Sequence, residues 1–287
     1  MTSTLINMSG VFSGQKFVKN RFLNLFGLHI FRILIATLCF NIRSKKLFSE
    51  LTKEEKALRE DGVIVIHNFL PQNDFEGLQK EFDNQKNYEG TESIIEDGDS
   101  VWSRKKFSKK YFEKMPFTKK FLTNEKLLNL LNSAESRQLS VPAVWFDTVS
   151  YEKRVSGIQN SSNVETFHSD ISFPSHKVFF LTHDVKSEDG PLTFCPGSNK
   201  FSIRRLWLEY KKSNEKNRTE KDPFYTINKK EESFLKLNIT KGIVPKNTLI
   251  LMNGTVFHKR GSAITGAKRS MIYTQFRLNP FSLEIKH

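Results

Sequence analysis

The sequence predicts a mainly β protein with flanking helices, an α+β chain whose strands form a double-sheet jelly roll. Three observations lead there. Short apolar, β-branched runs recur between Gly and Pro turn signals over the last two thirds. The first third instead carries helix-period patterns, so helices are expected to pack on one side of the sheets. The 287 residues show no internal repeat and no second core, which suits one large unit. A 38% hydrophobic and 12% aromatic content supports a packed interior for most of the chain. Two cysteines, Cys39 and Cys195, are too few for a disulfide framework, and a reducing cytoplasm follows as the default location. The net charge of +14 raises the question of an anionic partner, but much of it is lysine spread along the chain, which reads as a solvated surface.

In chain order, residues 1–21 are polar and aperiodic and read as a mobile tail. Residues 22–42 are apolar and long enough to cross a bilayer, yet Asn24, His29, Arg32 and Asn41 interrupt them and basic residues flank both ends. A span is therefore disfavoured, and no small-residue cleavage site marks a signal peptide. Two readings stay open: a helix lying on an anionic membrane surface, or a helix docking on the protein's own barrel. The domain expectation is accordingly a tail and amphipathic helix over 1–44 and a barrel over 45–287.

Thr52 with Glu55 three residues on forms a capping box that opens a helix over Leu51–Glu60. Val63–Ile66, between Gly62 and Pro71, reads as a buried strand, with His67 at its edge. Phe75, Leu78 and Phe82 share one face of a helix over Asp74–Gln85, and Asn87–Asp99 reads as an acidic loop. From Trp102 to Lys126, lysines alternate with aromatics. Such a stretch can bind single strands of nucleic acid, but it more often anchors aromatics in a core while the lysines stay wet, or meets an acidic substrate at a barrel mouth. No nucleic-acid partner is expected. A helix over Asn124–Gln138, a strand over Val141–Lys153 and a polar loop over Ser156–Asn163 follow. Next come a strand over Lys177–Val185, with His176 in an exposed loop before it, and a short strand over Leu192–Cys195. His183 and Asp184 are adjacent, so on a strand they face opposite ways and are read as structural. Ile203–Tyr210 looks helical, residues 211–232 look like a flexible charged insertion, and Ile243–Met252 and Ser270–Leu278 are the last strands.

Within this frame, the stretch Thr166-Phe-His-Ser-Asp170 places His168 and Asp170 two residues apart. On an extended strand, such residues point to the same face. Two ligands bind a metal weakly, so a third is needed, and His258, at the end of the β-rich run from Asn247, is the best candidate. Two histidines and one carboxylate with open positions make the ligand set of non-haem Fe(II) oxygenases. Gly261 and Gly266 then allow a tight return to Arg269.

The order His168, Asp170, His258, with Arg269 eleven residues beyond, resembles the phytanoyl-CoA dioxygenase family of Fe(II)/2-oxoglutarate oxygenases. Asp61–Pro71 and Asp184–Lys200 resemble it too, so the likeness covers roughly residues 50–280. The resemblance implies a cupin-like double-stranded β-helix. It implies Fe(II) held by His168, Asp170 and His258, and 2-oxoglutarate as co-substrate with its far carboxylate on Arg269, assisted by a hydroxyl such as Thr255 or Ser270. O₂ would be consumed, with ascorbate as a reductant, and succinate and CO₂ released as a small or lipid-like substrate is hydroxylated. Relatives that halogenate lack the carboxylate that Asp170 provides. The alternative from another class is a non-catalytic cupin-like binding module associated with a membrane surface. Substrate identity and oligomeric state are not legible.

Overall fold

Gly27, at φ +86°, turns the chain between two N-terminal helices, α1 (Arg21–Leu25) and α2 (Leu28–Leu47). The structure, a computed structural model, describes residues 11–12, 20–141, 143–152, 165–215 and 225–286. The expected capping box is formed. The Thr52 hydroxyl accepts from the Glu55 amide at 3.3 Å, and the Glu55 carboxylate accepts from the Thr52 amide at 2.7 Å, opening α3 (Lys53–Asp61). Gly62 ends α3 in the left-handed region, where a Cβ would lie 2.6 Å from Asn199 and Val256, so only glycine fits. The chain continues through β1 (Val63–Ile66), α4 (Gln72–Asp83), β2 (Thr91–Asp97), β3 (Ser100–Ser108), α5 (Pro116–Leu122), α6 (Glu125–Glu135) and β4 (Ala143–Tyr151). Then come β5 (His168–Ser169), β6 (His176–Leu181), β7 (Leu192–Phe194), α7 (Ile203–Ser213), β8 (Tyr225–Thr226), α8 (Lys229–Leu235) and β9 (Thr240–Lys241). The last strands are β10 (Thr248–Asn253), β11 (His258–Arg260) and β12 (Lys268–Gln275).

These strands form two antiparallel sheets, a major one in the order β1-β10-β6-β12-β4-β3-β2 and a minor one in the order β8-β5-β11-β7-β9. Period-two alternation gives the major sheet two different faces. Val144, Phe146, Val178, Phe180, Leu249, Leu251 and Ile272 look outward onto α3 to α6, in one core with Phe75, Leu78, Phe107, Phe121 and Leu131. Val149, Leu181, Ile250, Met252 and Met271 look inward toward Phe194 of the minor sheet. Burying each large apolar side chain contributes about 1.5–3 kcal/mol, so the helix-facing core dominates stability. Phe107, Phe112 and Phe121 are buried while Lys119, Lys120 and Lys126 form exposed ion pairs, so the basic and aromatic stretch anchors the core.

Several expectations need correction. Asn87–Asp99 is no loop, since β2 is an edge strand closed onto β3 through Gly98 at φ +60°. Its residues are exposed on both faces, which leaves no hydrophobic alternation to read. His176 is not exposed: it is 3% accessible, opens β6, and meets the Glu135 carboxylate at 2.8 Å through both its amide and Nδ1. The described part of 211–232 is ordered structure, comprising the end of α7, β8 and the start of α8. There a capping box between Asn228 and Glu231 and the buried Ile227 were masked by the charged composition. β10 begins at Thr248 rather than Ile243, because Pro245 lacks an amide proton and Asn247 takes φ +59°. In the supposed tail, Val11 is buried and Arg21 opens α1, while residues 1–10 and 13–19, like the predicted loop 156–163, lie outside the described residues.

Of the two readings for residues 22–42, docking on the barrel is observed. Ile33 and Ala36 pack on Phe173, and His29 Nε2 lies 3.0 Å from the buried Glu209 carboxylate of α7. That carboxylate also accepts from Ser172 Oγ at 2.8 Å and Arg205 Nε at 2.9 Å, and Arg205 reaches Ser169 Oγ at 3.2 Å. Burial opposes its charge, but Arg205 and His29 outweigh burial and hold the Glu209 carboxyl down to about 2.

Candidate metal centre

The minor sheet brings the two histidines together by register. His258 on β11 is the direct cross-strand partner of His168 on β5, and their ring centroids lie 4.5 Å apart. Asp170 follows β5 with its amide donated to the Gly254 carbonyl at 2.9 Å, and its Oδ2 lies 3.7 Å from His258 Nε2. One ligand atom from each of His168, Asp170 and His258 falls within 4.8 Å of the others, and all three residues are buried. Among the described residues, this is the one cluster of three His, Cys, Asp or Glu side chains that could hold a metal.

The ring orientations bear on the fit. His168 Nδ1 sits 2.8 Å from the Thr166 carbonyl and His258 Nδ1 sits 2.8 Å from the Val256 carbonyl, each two residues upstream. A carbonyl only accepts, so both Nδ1 atoms carry a proton, and Nε2 is the nitrogen each ring has left for the cluster. Burial, and then the neighbouring His258, push the His168 imidazole down to about 3, which keeps it neutral. Asp170 is also buried, but Lys177 and the two imidazoles outweigh that cost and hold its carboxyl below the usual range. Its Oδ1 is buried with no hydrogen-bond partner. Two imidazole nitrogens and one carboxylate, whose Oδ1 has no partner, in a buried site are the donors a divalent ion such as Fe(II) needs.

Arg269 lies on β12, 5% exposed, and donates through Nη1 to the Gly190 carbonyl while its Nε has no partner. Burial lowers its affinity for the proton, yet guanidinium remains charged at any physiological pH. It opens onto a small cavity walled by Phe179, Leu181, Leu192, Ile250 and Met271. Gly190 takes φ +65° directly over the Tyr151 hydroxyl, and a Cβ there would overlap that oxygen. Arg269 does not return on a hairpin: β11 pairs β5 and β7 in the minor sheet, whereas β12 pairs β4 and β6 in the major one. The loop with Gly261 and Gly266 crosses between sheets instead. Of the two assisting hydroxyls, Ser270 follows Arg269 on the strand and so faces the other way, 3.5 Å from Thr148 Oγ1. Thr255 Oγ1 is buried without a partner.

Three groups were missed in the sequence. Lys177 Nζ pairs with Asp170 Oδ2. Arg260, two residues past His258 and so on its face, pairs with Asp97 at 2.7 Å and contributes positive potential at Arg269. Arg104 makes a bidentate pair with buried Asp147 at 2.9 and 2.8 Å, inside the rings of Trp102, Trp145 and Tyr273. The signal for Lys177 was available, since it is the one charged residue on the face of β6 that carries Phe179 and Leu181.

Comparison with known proteins gives the fold and the family. The epimerase SnoN, solved with Fe3+, alpha ketoglutarate and nogalamycin RO, superposes with a TM-score of 0.52 at 12% identity, covering 78% of this chain and 82% of its own. The carbocyclase SnoK from nogalamycin biosynthesis gives 0.51 at 13%, covering 79% and 84%. EctD from S. alaskensis with bound Fe gives 0.52 at 14%, covering 79% of each chain. These likenesses establish the fold as the double-stranded β-helix. No curated protein matches the sequence closely enough to count as a relative. The model of the phytanoyl-CoA dioxygenase family matches residues 58–271, three quarters of the chain, and the protein belongs to that family.

Proposed function

We propose that the protein is an Fe(II)- and 2-oxoglutarate-dependent dioxygenase that hydroxylates a small or lipid-like organic substrate, with release of succinate and CO₂. The observation that carries this reading is the convergence of two imidazoles and one carboxylate on one point, with both Nδ1 atoms tied to backbone. His168 and His258 would hold the iron from paired strands, and Asp170 from just past β5 with its amide tied to the Gly254 carbonyl, which fixes its position. Bound iron would supply the activation of O₂ that couples decarboxylation of 2-oxoglutarate to insertion of oxygen into a C–H bond. The protein does the rest. Arg269 offers a permanently charged fork to the far carboxylate of the co-substrate, in a cavity whose other walls are apolar. Asp170 fills the position that a halide would need, which favours hydroxylation. Trp145 and Tyr273, with Arg104 held by Asp147, offer the substrate a rigid aromatic wall on the inner face of the major sheet.

Purified protein given Fe(II), ascorbate and 2-oxoglutarate is expected to form succinate slowly even without substrate. His168→Ala should abolish that signal while leaving the fold intact by circular dichroism. Wild-type protein without iron affinity would end this reading.

A further inference from the structure

Residues 1–49 contain seven Lys or Arg and no Asp or Glu, so they carry half of the net charge of +14. Five of the seven lie on α1 and α2, where Arg32 and Arg43 turn inward and Arg21, Lys45 and Lys46 are exposed, and those helices have two faces with different fates. The inner face is used up on the barrel: His29, Arg32, Ile33, Ala36 and Arg43 are buried, with the Arg32 guanidinium 5.1 Å from the Phe173 ring centre. The outer face holds Phe31, Leu34 and Leu38, which are 51–53% exposed and repeat at helical spacing. Asn41 and Lys45 continue the stripe, also exposed. On α1, Phe22 and Phe26 are 66% and 77% exposed with their rings 4.9 Å apart. The Leu25 carbonyl accepts from Tyr210 Oη at 3.0 Å, so α1 is fixed to α7.

From this we infer that the outer face of α1 and α2 docks on an anionic phospholipid bilayer, with Phe22, Phe26, Phe31, Leu34 and Leu38 entering the headgroup boundary and Arg21, Lys45 and Lys46 meeting the lipid phosphates. Large aromatic and aliphatic side chains left in water at helical spacing, on a helix that turns His29, Arg32 and Arg43 to the protein instead, mark an interaction surface. The exposed cations at both ends of the stripe, and the absence of any acidic residue in the segment, select a negatively charged partner over a neutral one. No described helix is long and apolar enough to cross a membrane, so the contact lies along the surface. The Glu209 network connects this surface to the strand of His168 through Arg205 and Ser169, and so fixes how the site sits above the lipid. The inference stands apart from the oxygenase reading.

The test is sedimentation of the full chain with vesicles of phosphatidylcholine alone, or of phosphatidylcholine with phosphatidylserine. Wild type is expected in the pellet with the anionic vesicles, and release by high salt is expected. The combined Phe22→Ser, Phe26→Ser, Leu34→Ser variant, altered only at exposed positions, should keep its melting temperature and bind at least tenfold more weakly. Lys45→Glu with Lys46→Glu should weaken binding several-fold. Wild type that stays in solution, that binds both vesicle types equally, or whose binding survives the triple change would overturn the inference. So would a dimer in light scattering that the triple change dissolves, since the face would then belong to a second copy.

Discussion

On β4, Val144 and Phe146 turn toward the helices, fully buried, with Phe146 packed 5.1 Å from Phe82 and 4.9 Å from Phe107. Their neighbours Trp145 and Asp147 turn the other way, where Asp147 is paired with Arg104 and Trp145 stands 5.8 Å from Tyr273. The same alternation recurs on β6, with Val178 and Phe180 outward and Lys177 and Phe179 inward. One sheet therefore separates two tasks. Apolar burial on the outer face is non-directional and supplies stability. The inner face keeps charges out of water, a cost offset where they pair, as Arg104 does with Asp147 and Lys177 with Asp170, and left open at Arg269.

The separation can be broken in order of expected effect. Phe146→Ala should remove about 3–5 kcal/mol of stability in urea unfolding, while metal affinity of the folded protein stays as in wild type. A parallel loss of metal affinity would show that the two faces are not independent. Glu209→Ala leaves His29 and Arg205 around a hole and should cost about 3–5 kcal/mol. Because the folded carboxyl is held near 2, below its ordinary 4.5, the Glu209 contribution is complete above about pH 4.5 and is lost as pH falls toward 2. Glu209→Gln should flatten that acid limb of the stability curve.

On the inner face the expected effects are on binding. Arg269→Ala should weaken 2-oxoglutarate by about 2–4 kcal/mol, the scale of a buried charge pair that loses one partner, measured by calorimetry without O₂. Retained affinity would move the co-substrate elsewhere. Lys177→Met removes a cation that competes with a metal for Asp170, so metal affinity should rise about tenfold, the loss of roughly one charge-assisted hydrogen bond. A fall would mean that Lys177 orients the carboxylate for the ion.

What could be read beforehand follows from the range of the signals. The capping box at Thr52, the run Val63–Ile66 and the pair His168 and Asp170 are local, and their periods or spacings are visible in a few residues. The partnership of His258 with His168 is long-range: the need for a third ligand and the β-rich run from Asn247 made His258 a candidate, and the order of motifs resembling a family strengthened it. The edge strand β2 and the ordered part of 211–232 escaped because charged composition hides period and caps alike. Lys177, Arg260 and Arg104 were visible as residues but not as site groups, since the residues facing them come from other strands.

The central claim is that two imidazoles and a carboxylate form one metal site that must be filled before the co-substrate binds well. An anaerobic titration of the protein with Fe(II), followed by 2-oxoglutarate, tests it most directly. The account predicts one ion per chain, lost in Asp170→Ala, and 2-oxoglutarate affinity that strengthens at least tenfold once the ion is bound. Equal 2-oxoglutarate affinity with and without metal, or an ion retained by Asp170→Ala, would contradict it.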